Sequence, residues 1–375
     1  MKIIIIFLIT FFYTINLYAI NLSEALSIAY KKNPELNAER ENINASKQDL
    51  NISKSEFLPS VTLSGTKKSQ ETSKLTNQDG SSARIGDVNP ETKSIKVEQK
   101  IFQGFGGVAD YQKNKIGLAV ADAKLLQVEQ NTLLKAVDAF SGAIFANEKY
   151  SIYQQNLNLI ERQVEMDQIR LDRGQVSLAD LAQSESSLAE AEAKFIQAKN
   201  DVVTAKLNYE NIIGPISDTF ELEKNIIMDL KIPLSLDKAI NMSKNSNPDL
   251  TISKLEFDQS QKDVLIAQSD LSPSASLSFE TTETDDLSTT YDQQDKETLE
   301  AKISWPIFSG GKNYASLSKS KNLRNRKKLL YENAIKMNDT NVASAWSNLQ
   351  SSKSVLEAVK LQVRAAEIAN EGITA

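Results

Sequence analysis

The sequence carries one unit twice, and that duplication restricts the possible folds more than any other feature. Leu22-Ser23-Glu24-Ala25-Leu26 returns as Leu236-Asp237-Lys238-Ala239-Ile240, Asn33-Pro34-Glu35-Leu36 as Asn247-Pro248-Asp249-Leu250, and Pro59 as Pro273, each 214 residues later. Past the first hairpin the offset is 206, pairing Ile101-Phe102 with Ile307-Phe308 and Ala139-Phe140 with Ala345-Trp346. The smaller offset means a shorter second hairpin loop. Self-similarity on this scale implies two copies of one structural unit. They occupy 20–214 and 234–375, joined by a linker at 215–233.

Each copy is built around the same junction. Ile101-Phe102-Gln103-Gly104-Phe105-Gly106-Gly107 and Trp305-Pro306-Ile307-Phe308-Ser309-Gly310-Gly311 both follow side chains that alternate with period two. Both precede long stretches without proline, none lying between Pro90 and Pro215 or after Pro306. This is a strand turning at glycines into a helix much longer than the usual three turns. Gly104, Gly106 and Gly107 in one copy, and Pro306, Gly310 and Gly311 in the other, mark the transition. The glycine run lacks the spacing and the Gly-Lys-Ser/Thr ending of a phosphate loop, so a strand-to-helix swivel is the expectation.

Each unit opens with a short helix, about 22–31 and 236–245, followed by a second one begun by Asn33-Pro34 or Asn247-Pro248. Asparagine caps well, and proline at the first helical position forfeits no hydrogen bond. Leu36, Ile43, Leu50 and Phe57, and in the repeat Leu250, Phe257, Val264 and Leu271, fall seven apart, which is a coiled-coil spacing. Hairpins are expected at about 58–102 and 272–305. Their strands alternate apolar and polar residues over about ten positions, the length that crosses a bilayer at a tilt. A half-buried sheet of a soluble protein has the same pattern. The loops near 69–92 and 284–296 are polar.

A helical hairpin is expected over about 105–213. Its first arm has a seam at Ala119, Ala123, Leu126, Gln130, Leu133, Val137, Phe140 and Ile144, and after a phase slip at Tyr153, Leu157, Ile160, Val164, Asp167 and Leu171. Its return arm has large residues at Leu181, Leu188, Phe195, Val202 and Tyr209, with a small-residue row at Ser184, Ala191, Ala198 and Ala205. Large facing small lets antiparallel helices approach closely. Between the arms, Gly174 suits a left-handed helix end and Ser177 with Asp180 reads as a capping box. In the second copy a long helix is expected over about 312–371, and no return arm follows, so the sequence reads as C-terminally truncated.

Composition removes several classes of function. The chain has no cysteine and no histidine, which excludes thiolate or histidine metal sites, cysteine nucleophiles and Ser-His triads. No catalytic constellation, cofactor site or metal site is expected. A formal net charge of -6 argues against a nucleic-acid partner. Residues 1–19, with Lys2 ahead of an apolar run and Ala19 at the cut, read as a secretory signal. No later stretch suits a membrane helix, so membrane insertion requires strands. Four strands cannot close a barrel, and open edges are forbidden in hydrocarbon, so the chain must oligomerise to close.

The repeat, the Asn-Pro-x-Leu helix starts, the Phe-x-Gly and Trp-Pro-Ile-Phe-Ser-Gly-Gly junctions and the turn from Gly174 to Asp180-Leu181 resemble the TolC family of outer membrane efflux proteins. The resemblance implies a mainly α fold with membrane β: a homotrimer whose β-barrel continues into a periplasmic α-barrel. It implies an exit duct in the outer membrane for an efflux pump or type I secretion system, with a periplasmic adaptor and an inner-membrane transporter as partners. It also places Asp172, Arg173, Gly174 and Asp180 at the adaptor-facing, pore-narrowing tip. The family's constricting aspartates belong to the second return helix, which this sequence lacks. Arg173 reads either as an interhelix brace or as a solvated charge. Phe102, Phe105, Trp305 and Phe308 form an interfacial aromatic belt or pack beneath the barrel. The competing reading is a periplasmic adaptor, but an adaptor has a single helical hairpin and no strand pairs of membrane length.

Overall fold

The computed structural model describes residues 20–83, 85–215, 222–224 and 232–374. The signal segment at 1–19 and most of the linker lie outside these residues. Two compact units are described in turn, one of Met1–Arg40 with Leu125–Lys231 and one of Glu41–Lys124 with Ile232–Ala375.

The first unit contains α1 (Leu22–Lys32), the start of α2 (Pro34–Ser55), most of α3 (Gly106–Asp172) and α4 (Leu178–Ile212). Asn21 caps α1 in a reciprocal capping box with Glu24. Asn33 Oδ1 accepts from the backbone N–H of Leu36 and so caps α2. The core joins Leu22, Ala25 and Ala29 of α1 to Ala136, Ala139, Phe140 and Ala143 of α3 and to Tyr209 and Ile213 at the end of α4. Phe140 and Tyr209 rings lie 6.5 Å apart, and the buried Tyr209 hydroxyl has no hydrogen-bond partner among the described residues.

Up to Ile144, the buried row of α3 keeps Ala123 and Phe140 of the expected seam and departs from the rest of it. Thr132, Ala136, Ala139, Phe140 and Ala143 are buried, whereas Leu126 is exposed and Leu133 and Val137 only half-buried. The reason is packing distance. Small side chains occupy the line of closest helix approach and the larger ones flank it. On α4 the expected positions Leu181, Ala191, Ala198 and Tyr209 are the buried ones.

The second unit contains a four-stranded antiparallel sheet in the order β1 (Ser60–Lys67), β2 (Glu91–Gln103), β3 (Ser274–Asp285), β4 (Gln293–Ser304). Its register places Val61, Val97, Phe279 and Leu299 in one row and Ser60, Glu98, Ser278 and Glu300 in the next. Successive residues point to opposite faces, so the sheet has an apolar face and a polar face. The outer edges of β1 and β4 carry no strand partner among the described residues. The same unit contains the end of α2, the first turns of α3, α5 (Leu236–Ser246), α6 (Pro248–Ser269) and α7 (Lys312–Thr374), with α7 packed on α5 and α6. Lys327 of α7 pairs with Glu256 of α6 at 2.6 Å. Asn338 is buried, accepts from Asn247 Nδ2 and donates to Ser243 Oγ, both at 2.8 Å. No described helix is long and apolar enough to cross a membrane.

Candidate functional site

The sheet's two faces meet the helices at the paired junctions. A strand leaving a twisted sheet must change direction to enter a helix, and both copies do so with two successive left-handed residues. Gly104 and Phe105 have φ of 57° and 65°, and Gly310 and Gly311 have 61° and 81°. Glycine reaches this region without cost, whereas a side chain crowds the following carbonyl. Phe105 therefore carries strain that its counterpart Gly311 does not. Its ring stands 5.4 Å from that of Phe102, edge to face.

The space around the junctions differs. A Cβ on Gly104 would lie 2.5 Å from Ser272 Cβ and 2.9 Å from the Ser269 carbonyl oxygen, and one on Gly106 would collide with Ser269 Oγ. Gly107 sits in the first turn of α3 with only ordinary contacts, the nearest being Gln103 Oε1 at 3.6 Å. Among the described residues, nothing lies within 4 Å of the corresponding positions on Gly310 and Gly311.

A hydrogen bond ties each junction to the helix before its hairpin. Gln99 Nε2 donates to the carbonyl of Phe57 at 3.2 Å, and Trp305 Nε1 donates to the carbonyl of Leu271 at 3.1 Å. Phe57 and Leu271 occupy the same place in the repeat, as do Gln99 and Trp305. Each carbonyl belongs to the open end of a helix, where intrahelical partners run out. Sequence reasoning missed Gln99, because glutamine and tryptophan look unrelated until both are seen as side-chain N–H donors at one position of the repeat. Pro306 follows Trp305, where the strand stops, and Phe105, Trp305 and Phe308 are exposed while Phe102 is half-buried.

At the helical turn the local geometry follows the residues closely. Gly174 has φ 69°, its N–H donates to the Leu171 carbonyl, and Gln175 N–H donates to that of Arg170, both at 2.8 Å. This Schellman pattern ends α3. Ser177 then caps α4. The Asp180 carboxylate accepts from the Ser177 N–H at 2.8 Å and from its hydroxyl at 2.7 Å. Those donors hold the Asp180 carboxyl below the ordinary carboxylate range, the backbone N–H contributing most. Asp172 is exposed and accepts from Gln168 at 3.0 Å. Arg173 is exposed and has no ion pair among the described residues.

One turn deeper, Asp167 is buried between α3 and α4. It accepts from Ser184 Oγ at 2.5 Å and Gln163 Nε2 at 2.8 Å, and Arg170 stands 3.8 Å away. The Ser184 hydroxyl, then Gln163, depress its carboxyl. A polar pair at facing seam positions on either side of the turn was the available signal for this contact. Both carboxylates favour the folded state above the ordinary carboxylate range. That contribution disappears as pH falls through their lowered values.

The comparisons with known proteins agree with this architecture. The family model described as outer membrane efflux protein matches residues 25–215 and 239–371. The chain is 25% identical over 354 residues to outer membrane efflux protein BepC of Brucella suis, covering 94% of this chain and 75% of that protein. It is 20% identical to alkaline protease secretion protein AprF of Pseudomonas aeruginosa, covering 93% and 74%. Its fold resembles the crystal structure of CusC, a transmembrane channel, with a TM-score of 0.78 at 13% identity, over 92% of this chain and 80% of that one.

Proposed function

The chain belongs to the outer membrane efflux protein family and is an outer membrane channel that extends into the periplasm, and on that premise we propose that three copies close into one duct. The observation that carries this reading is the sheet. It has one apolar face, one polar face and two edges without a strand partner among the described residues. Lipid requires every backbone polar group to be satisfied, so β4 of one copy must pair with β1 of the next. Three copies of four strands make about twelve, enough for a barrel with an open lumen. The polar rows through Glu98, Glu300, Lys100 and Lys302 then line water.

The duct serves as the outer-membrane exit of a tripartite efflux pump or type I secretion system, with a periplasmic adaptor and an inner-membrane transporter as partners. Two relatives point to these two kinds of traffic, one named for efflux and one for secretion of alkaline protease. The turn at Asp172, Arg173, Gly174 and Asp180 is the adaptor-facing tip. Asp180 completes the Ser177 capping box of α4 there, and its carboxylate adds negative charge at the entrance. Phe102, Phe105, Trp305 and Phe308 form the aromatic belt at the lipid interface, and Gly104, Gly106, Gly107, Pro306, Gly310 and Gly311 form the collar between barrel and helices.

The test is to extract the protein from outer membranes, compare heated with unheated migration in denaturing gels, and measure conductance in planar bilayers. A heat-dissociated trimer that conducts ions is expected. A soluble periplasmic monomer without conductance overturns the duct and favours the adaptor reading.

A further inference from the structure

Antiparallel helices α3 and α6 meet in the second unit through two positions one turn apart. Lys113 Nζ pairs with Asp263 at 2.8 Å, and Gln259 reaches the Lys113 carbonyl at 3.3 Å. One turn along, Gly117 leaves room for the Gln259 side chain, whose Nε2 would lie 3.1 Å from an added Cβ. All four residues are half-buried.

The repeat provides a second set of the same positions. By the 206 offset, Lys113 corresponds to Lys319 and Gly117 to Leu323 on α7; by the 214 offset, Asp263 corresponds to Asp49 and Gln259 to Ala45 on α2. All four counterparts are exposed, and neither Lys319 nor Asp49 has an ion-pair partner among the described residues. The chemistry is complementary at both positions. Lysine and aspartate are retained as a pair. The small–large pair is retained with its members exchanged, since Gly117 faces Gln259 whereas Leu323 would face Ala45. Ile52, the counterpart of half-buried Ile266, is 65% exposed on the same helix. The close approach at Gly106 is not carried over, because Lys312 occupies that place and its side chain must pass Ser55 toward water.

The geometry points to α7 of one copy packing on α2 of a second copy, with Lys319 paired to Asp49 and Leu323 seated over Ala45. This contact rests on the trimeric reading above and specifies it: helix seams would then alternate around the ring, one within a chain and the next between chains. The charge pair and the exchanged small–large pair lie four residues apart on antiparallel helices, so together they define a register.

The chain has no cysteine, which makes paired cysteines unambiguous. Lys319→Cys with Asp49→Cys, and Leu323→Cys with Ala45→Cys, are treated in outer membranes with a short bis-maleimide linker. Lys113→Cys with Asp263→Cys is the internal control, and its product keeps monomer mass after denaturation. Both test pairs are expected to give covalent dimers and trimers that survive boiling. If the uncrosslinked protein runs as a heat-dissociated trimer and the control crosslinks, failure of either test pair to form the ladder overturns this seam and leaves the trimer standing. Absence of any trimer band overturns the trimer reading and the seam together.

Discussion

At the first junction Gly104 and Phe105 take φ of 57° and 65°, and at the second Gly310 and Gly311 take 61° and 81°. The backbone step is therefore the same, and so is the hydrogen bond that anchors it, although one copy uses an amide donor and the other an indole. The surroundings are not the same. Ser269 and Ser272 crowd Gly104, whereas Gly310 and Gly311 have open space around them. Glycine is thus required at the first junction for two reasons, dihedral and volume, and at the second for the dihedral alone. The comparison teaches that the local step belongs to the repeat, whereas packing depends on which neighbour the chain supplies.

The sharpest way to break this comparison is Gly104→Ala. The left-handed backbone and the overpacking against Ser272 together should cost about 3 kcal/mol in a urea titration of the detergent-solubilised protein. A cost equal to that of Gly310→Ala would mean that space plays no part. Next in size is a difference deeper in the two copies. Buried Asn338 bonds Asn247 and Ser243 in the second, where Thr132 and Ala29 stand in the first. Asn338→Ala strands the Asn247 amide, so a loss of about 2 kcal/mol is expected, roughly twice that of Thr132→Ala. Equal losses would show that the polar network adds nothing.

Gly310→Ala should cost about 1 kcal/mol, the dihedral penalty by itself. Trp305→Phe removes the N–H to the Leu271 carbonyl while keeping an aromatic ring, and about 0.5 kcal/mol should be lost because water reaches that carbonyl. Gln99→Leu should match it if the two donors are equivalent. The smallest effect is expected for Phe105→Gly. Relief of the left-handed strain and loss of the edge-to-face contact with Phe102 oppose each other at about 1 kcal/mol each, leaving little net change. A large destabilisation there would make the aromatic contact the dominant feature of the first junction.

Much of this was legible in the residues because it depends on short-range rules. Pro34 and Pro248 mark helix starts, Gly174 and Ser177-x-x-Asp180 mark a helix end and the next beginning, and each gave the element its residue types demand. Less legible was which row of α3 would be buried. Leu133 and Val137 fit a helical seam as well as Ala136 and Ala143, and periodicity alone does not tell the centre of a contact from its flank. Asp167 was visible as a seam residue, but its bond to Ser184 depends on how the two arms register across the turn.

By itself the sequence determined the duplicated unit, the strand-to-helix order, the capped turn and the two-faced strands, because each follows from side-chain period and backbone preference over a few residues. Only the tertiary structure decided that β2 pairs with β3 to make one sheet from both repeats, that Gln99 and Trp305 perform the same task, and that the end of α6 crowds Gly104 while Gly310 and Gly311 stand in open space among the described residues. Those outcomes depend on which distant segments come into contact, and a contact between residues far apart in the chain is set by the shape and charge of both surfaces together.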